Sequence, residues 1–350
     1  MTREWSLPDW SRVAGTPDCR GRIRTFPEDF RVEEIPLISP ASEGNHLWLE
    51  IEKRGANTDW VARQLATLAG VAGRDVGYAG MKDRRGVTRQ WFSVGLQEAA
   101  DSNWEHWQIA DADILKASLH PRKLKRGALR GNRFQLVIRN LEGNVDGLSE
   151  RLKNVSEQGV PNYFGPQRFG HGGLNVVRGR QWLERGGRLP RNKKSIYLSA
   201  VRSFLFNEVL SRRVGCQSWN RLIDGDIACL DGSHSTFPCE MPDPDLDRRC
   251  AEFDIHPGGP LVGRNGAGTE RQALATEQDV LKTHDSLVQG LEKAGLKSAR
   301  RSMRVVPGSM HWNVSGTVLE LGFELPPGGY ATTLLRELVT TDSVSISDSP

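Results

Sequence analysis

Apolar residues alternate with polar ones at both ends of this chain, and the stretch between is spaced for helices. Leu47, Leu49 and Ile51 alternate with Trp48, Glu50 and Glu52. Phe134, Leu136 and Ile138 repeat the pattern, and Leu319, Leu321, Phe323 and Leu325 carry it near the end. A period of two marks a strand with one face buried. Val145, Leu148, Leu152 and Val155 instead follow a helical period and stop near Gly159. Leu198, Val201, Leu205 and Val209 line a long helix over 197–214, and two further helical patterns lie near 270–281 and 284–294. A shorter helix is expected after Thr58 or Asp59 as cap, with Val61, Leu65 and Leu68 inward and Gly70 closing it. Another runs from Tyr330 to Leu338. Strands and helices mix without strict alternation, which predicts an α+β fold. The sheet-bearing domain would use both chain ends, residues 1–158 and 305–350, around an inserted domain at 159–304. Residues 216–268 read as irregular, and 341–350 as a flexible tail.

Composition excludes several classes. Hydrophobic residues make up 37% and charged residues 26%, enough to bury a core, so wholesale disorder is out. No apolar run approaches the ~18 residues of a membrane span. The first ten residues lack an apolar signal core, so a cytoplasmic protein is expected. The five cysteines are odd in number and none is spaced as a zinc pair, which predicts reduced thiols and no metal. No cofactor and no protein partner is implied, and a monomer is the default.

Charge is unevenly spread. From Lys116 to Arg133 there are seven Lys or Arg and no acid; from Arg178 to Lys194 there are seven against Glu184 alone. Such clusters suit a polyanion, although solvated faces look the same. Arg122, Lys123, Lys125, Arg126, Arg191, Lys193 and Lys194 are the candidate RNA-backbone contacts. Aromatic residues lie beside these segments, among them Phe30, Phe134, Tyr163, Phe164, Phe169 and Tyr330. Aromatic faces stack on unpaired bases while neighbouring cations hold phosphates. On the residues alone each ring reads first as structural rather than base-stacking; Phe134 in particular continues an alternating strand.

Asp83 is the most suggestive acid. It sits in a glycine-bounded segment, Gly77-Tyr-Ala-Gly-Met-Lys-Asp-Arg-Arg-Gly86, between helix and strand, beside Lys82, Arg84 and Arg85. Cations this close favour the carboxylate, which can act as a nucleophile. A turn aspartate in a basic loop has the same signature. Phosphate-loop, dinucleotide, zinc-protease and deaminase patterns are absent.

Taken together, six segments resemble the tRNA pseudouridine synthase D family. They are Phe26-Pro-Glu-Asp-Phe30, Ala79-Gly-Met-Lys-Asp83, residues 126–134, residues 160–170, Asn192-Lys-Lys-Ser195, and Leu325-Pro-Pro-Gly-Gly-Tyr330 with Arg336-Glu-Leu338. They stand in the family's order across nearly the whole chain. The resemblance implies that uridine in tRNA, at position 13, is isomerised to pseudouridine without cofactor or metal. It implies a catalytic domain with a mixed or antiparallel sheet, and an inserted α+β domain that forms an RNA-binding cleft with it. Asp83 falls on the family's catalytic aspartate, Arg24 on a basic position that would orient it and keep it ionised, and Phe30 and Asn132 on substrate-contacting positions. Phe134 falls on the aromatic against the target base. Tyr330 falls on a substrate position that is often Phe, so this chain differs there by a hydroxyl. The alternative is a non-catalytic RNA-binding protein or RNA chaperone, which needs the basic clusters and aromatics but not Asp83.

Overall fold

The computed structural model describes residues 5–96, 103–266 and 268–343. In chain order the strands and helices begin with β1 (Cys19–Ile23), β2 (Phe30–Pro36), β3 (His46–Arg54), α1 (Thr58–Leu68), β4 (Val76–Tyr78), β5 (Val87–Gly95), β6 (Ala112–His120), β7 (Leu129–Gly143) and α2 (Val145–Gln158). They continue with β8 (Val160–Pro161), α3 (Leu174–Arg185), α4 (Arg191–Gly215), β9 (Asp226–Leu230), β10 (Thr236–Cys239), α5 (Pro244–Ala251) and β11 (Ile255–Leu261). Last come α6 (Arg271–Leu281), α7 (Asp285–Lys293), β12 (Ala299–Ser302), β13 (Arg304–Val305), β14 (Gly308–Ser315), β15 (Val318–Leu325), α8 (Ala331–Leu338) and β16 (Thr340–Ser343). The chain is α+β.

It divides into two compact units. Cys19–Val145, Pro307–Pro327 and Thr340–Pro350 form a sheet unit; Met1–Asp18, Asp146–Val306 and Gly328–Val339 form a helical unit. The helical unit thus holds the segment 159–304 together with α2, α8 and, of the first eighteen residues, the described ones from Trp5 on. Thr341 to Ser343, expected in a tail, lie in β16 beside β1; residues 344–350 lie outside the described ones.

The sheet unit is built on the order β14-β15-β7-β2-β5-β3-β6, with β1 pairing both β7 and β16, and β4 pairing β5. The β1–β16 and β2–β5 pairs are parallel and the rest antiparallel, so the sheet is mixed. Registers follow the apolar alternation. Phe134 faces Val32 on one side and Phe323 on the other, and Leu136 faces Phe30 and Leu321. Helix α1 covers the same face of β3 and β5, burying Val61 and Leu65 with Leu47, Leu49, Ile51, Phe92 and Val94. Leu68, expected inward, is exposed at the last residue of the helix, while Leu65 and Ala66 of the same turn are buried. β3 is more buried than its alternation suggests: Trp48 and Glu50 on the polar phase are also covered, Trp48 by Ala79, Trp91 and Leu124 and by His120, on which it stacks at 4.0 Å.

In the helical unit, α4 is the central element. It begins at Arg191, earlier than its apolar stripe, and buries Val201, Leu205, Phe206, Val209 and Leu210 against Phe169, Leu287, Leu291 and Met303. Its Arg213 is buried and bidentate on Asp226 at 2.8 Å. The segment 216–268 is not irregular as expected. It holds β9, β10, α5 and β11, joined with β12 in the order β10-β9-β11-β12. These strands hide from periodicity because Pro238, Pro257, Gly258, Gly259 and Pro260 interrupt it. Gly259 is required by packing: a Cβ there would stand 2.5 Å from the Phe206 ring of α4. No helix among the described residues is long and apolar enough to cross a membrane.

Candidate active site

Asp83 lies on the loop between β4 and β5, and several side chains of the sheet unit hold that loop. Gln90 of β5 donates from Nε2 to the Gly80 carbonyl at 3.1 Å. The Lys82 amide donates to Thr58 Oγ1 at 3.0 Å, and that hydroxyl donates to Gln90 Oε1 at 3.0 Å. Thr58 therefore anchors the loop instead of capping α1, whose N-cap is Asn57. Arg84 Nε donates to the Gly55 carbonyl at 3.1 Å. Where the loop re-enters the sheet, a Cβ on Gly86 would collide with the Phe30 carbonyl, so only glycine allows that approach.

Two buried cations lie under the loop. Lys82 Nζ pairs with Glu34 Oε2 of β2 at 2.5 Å, and both side chains are almost fully covered. Lys53 of β3 is 1% exposed. Its Nζ donates to the Ala56 carbonyl at 2.7 Å and to the Asp83 carbonyl at 2.8 Å. Burial pushes Lys53 down to about 8, with the Asp83 charge opposing that shift and Lys82 adding to it.

The Asp83 carboxylate faces outward, with its side chain 36% exposed. Oδ2 accepts from Arg24 Nη2, and Oδ1 accepts from the Arg85 amide at 2.9 Å. Arg24 has a left-handed backbone at φ 59° just past β1, and its guanidinium lies 4.0 Å from the centre of the Phe30 ring. Phe30 meets Phe134 edge-on at 6.4 Å, and Phe134, 8% exposed, stacks on Phe323 at 5.2 Å. Asn132 is two residues before Phe134 on the same face of β7, in register with Glu34 and Leu325. Its Oδ1 is enclosed and has no hydrogen-bond partner among the described residues. Arg24, Phe30, Asp83, Asn132 and Phe134 thus belong to one unit; Phe30, Asn132 and Phe134 share one sheet face, and Arg24 joins Phe30 to the Asp83 carboxylate.

Tyr330 belongs to the helical unit, before α8. Its hydroxyl accepts from Arg168 Nε at 3.1 Å. Of the basic candidates, Arg122 and Lys125 are exposed. Lys123 Nζ donates to the Arg74 carbonyl, and Arg126 donates to the Tyr78 hydroxyl while stacking on that ring at 4.0 Å. Arg191 and Lys193 are exposed on the first turn of α4, and Lys194 Nζ lies 4.8 Å from the Trp182 ring. Among the described residues no three His, Cys, Asp or Glu side chains converge as a metal set.

Sequence reasoning did not single out Lys53, Glu34 or Gln90, and it read Thr58 only as a helix cap. Lys53 continues the inward phase of Leu47, Leu49 and Ile51, and Glu34 continues that of Phe30 and Val32. A charge on the buried phase of a strand is the signal that marks both.

Lys53 also carries a pH dependence. Between about 8 and the ordinary 10.5 the unfolded chain binds its proton and the folded chain does not. Stability from this group therefore rises with pH across that window, by at most about 3 kcal/mol. In urea unfolding at several pH values, the wild-type chain should gain on Lys53→Met between pH 8 and 10.5. Parallel pH profiles for the two proteins would show that Lys53 titrates normally.

The profile of the family described as tRNA pseudouridine synthase D matches residues 11–185 and 174–338. A Methylococcus capsulatus protein named tRNA pseudouridine synthase D is 48% identical over 336 residues, covering 95% of both chains. A Nitrosococcus oceani protein of the same name is 46% identical over 325 residues, covering 91% of this chain and 90% of its own. In fold, the chain is similar to a solved Methanosarcina mazei structure assigned to tRNA pseudouridine synthase D, with TM-score 0.70 and 22% identity over 96% of this chain and 95% of that one. Matches that span both units at this identity are inheritance of the whole chain, and it belongs to the tRNA pseudouridine synthase D family.

Proposed function

We propose that this protein isomerises uridine to pseudouridine in tRNA, at position 13, with Asp83 as the nucleophile. The observation that carries the reading is the Asp83 carboxylate itself: outward-facing, paired with Arg24, and fixed through its own backbone by Lys53. The relatives' names supply the substrate class.

The reaction breaks the C1′–N1 bond, joins C1′ to C5, releases the C5 hydrogen as a proton and takes up a proton at N1, so that product and substrate are isomers. Uracil delocalises negative charge over its carbonyls, so it leaves without the second carboxylate that glycosidases use to protonate an oxygen. One acid then suffices, and Asp83 stands with cations rather than a carboxylate partner. Two routes use the carboxylate as the nucleophile, at C1′ or at C6; in a third it acts as a base and removes a ribose proton to give a glycal. In each, Arg24 orients the carboxylate through a charge-assisted bond. The unpartnered Asn132 Oδ1 accepts from a donor on the nucleotide; buried groups left unsatisfied mark such places.

The uridine must leave its stack, at a cost of a few kcal/mol. Ring contacts offset this, at about 1–3 kcal/mol per stacked base; Phe30 and Phe134 are the candidates in the sheet unit and Tyr330 is the candidate in the helical unit. Arg122, Lys123, Lys125 and Arg126, with Arg191, Lys193 and Lys194, contact phosphates and make affinity salt-dependent.

The test uses unmodified tRNA labelled with tritium at uridine C5. Wild-type protein should release tritium in step with a new pseudouridine at position 13, mapped by carbodiimide modification and primer extension. Binding without any tritium release would leave the RNA-binding reading instead, and release with the pseudouridine elsewhere would overturn the position.

A further inference from the structure

Two arginines of the helical unit carry charge that no acid among the described residues neutralises. Arg301 Cζ lies 4.2 Å from the centre of the Phe164 ring, and Arg168 Cζ lies 5.4 Å from the same centre. Tyr330 meets Phe164 edge-on at 6.1 Å. Arg301 Nη2 donates to Asn162 Oδ1 at 2.6 Å and to the Gly328 carbonyl at 2.8 Å. Arg168 donates from Nε to the Tyr330 hydroxyl at 3.1 Å and from Nη1 to Ser199 Oγ at 3.2 Å.

Every one of these acceptors is neutral. Among the described residues neither guanidinium forms an ion pair, whereas the buried Arg213 and Arg300 of the same unit are paired with Asp226 at 2.8 Å and Glu277 at 2.5 Å. Arg301 Nη1 and Arg168 Nη2 donate no hydrogen bond among the described residues. Burial pushes Arg301 down to about 10, with Tyr330 opposing and Arg168 reinforcing that shift. Covering a cation without a counter-charge is costly, and a second cation beside it adds repulsion. An anion arriving between them removes both costs.

We propose that Arg168 and Arg301 hold one phosphodiester of the RNA substrate beside the nucleotide that Tyr330 contacts. The guanidinium fork suits a phosphate, with two parallel donors to two oxygens. Tyr330 serves this site through its hydroxyl, which fixes the Arg168 fork, so the hydroxyl that departs from the family's usual Phe has a task here. This assignment rests on the uridine-isomerising reading for the identity of the RNA.

The experiment measures tRNA affinity against salt for wild type, Arg168→Gln and Arg301→Gln, with thermal unfolding as the check on folding. Each variant should weaken binding about tenfold, as loss of one charge-assisted contact does. The slope of log affinity against log salt should shrink by about 0.7–0.9. Arg301 also ties down the Asn162 and Gly328 backbone, so Arg301→Gln is the variant at risk of unfolding; Arg168→Gln and an RNA-side measurement remain. In that measurement single neutral methylphosphonates are placed around the target uridine. One position should weaken wild-type binding about tenfold and leave Arg168→Gln unaffected.

Unchanged affinity and slope in folded Arg168→Gln, or no phosphate position that this variant ignores, would overturn the clamp. If inorganic phosphate stabilises wild type but not Arg168→Gln while the tRNA slope stays the same, the site takes free phosphate and the RNA assignment fails. Tritium release by the wild type is scored separately, so loss of the isomerase reading and loss of the clamp give different results.

Discussion

Asp83→Asn should eliminate tritium release from C5-labelled tRNA while leaving tRNA affinity within about twofold of wild type. Asparagine keeps the shape and one carbonyl oxygen, so the Arg85 amide retains an acceptor. It removes the negative charge that meets Arg24 and the lone pair that attacks the nucleotide. Removing a covalent nucleophile costs about 10⁴-fold or more elsewhere, so single-turnover rates should fall to the background. The loop should stay in place, because its anchors are Gln90, Thr58, Lys82 and Lys53 rather than the carboxylate. Intact affinity with no turnover separates chemistry from binding. Turnover above about one-hundredth of wild type in protein free of the parent enzyme would remove Asp83 from the nucleophile's role; residual rates of that size belong to groups that only orient.

How legible this was in the sequence depends on how local the cause is. The alternating strands at both ends were readable because each buried face imposes a period of two on its own segment. Asp83, Arg24, Phe30, Asn132 and Phe134 were readable only as short motifs scattered over more than a hundred residues. Nothing local says that β2 lies parallel to β5, which is what brings Phe30 to the Asp83 loop. β9 to β11 were unreadable for the opposite reason. Their glycines and prolines are chosen by what packs on them, as Gly259 under Phe206 shows, so tertiary demands overrode strand propensity. The supporting charges left a trace that pattern-matching passes over. Glu34 and Lys53 sit where an apolar residue belongs, and the chain keeps ions there because they hold a loop.

Glu34→Gln tests that last point at the level of stability. Glu34 and Lys82 are both almost fully buried and their charged atoms are 2.5 Å apart. A neutral amide leaves the Lys82 ammonium without a counter-ion in the same interior as Lys53. Breaking a buried pair from one side costs about 3–5 kcal/mol, because the surviving charge keeps its desolvation penalty. Equilibrium urea unfolding should show that loss for Glu34→Gln, and Lys82→Met should lose less, since it leaves a carboxylate that can be protonated. The double variant should recover most of the loss, and the recovered part measures the coupling. Turnover should respond differently. Lys82 precedes Asp83, and its Nζ and amide are both fixed, so the double variant regains stability but leaves the Asp83 loop held by fewer contacts. A rate that stays reduced in the restored double variant, with tRNA affinity unchanged, is the expected signature of an ion pair kept for position. If Glu34→Gln costs less than about 1 kcal/mol, Lys82 reaches water in the folded protein and the pair does not hold the loop.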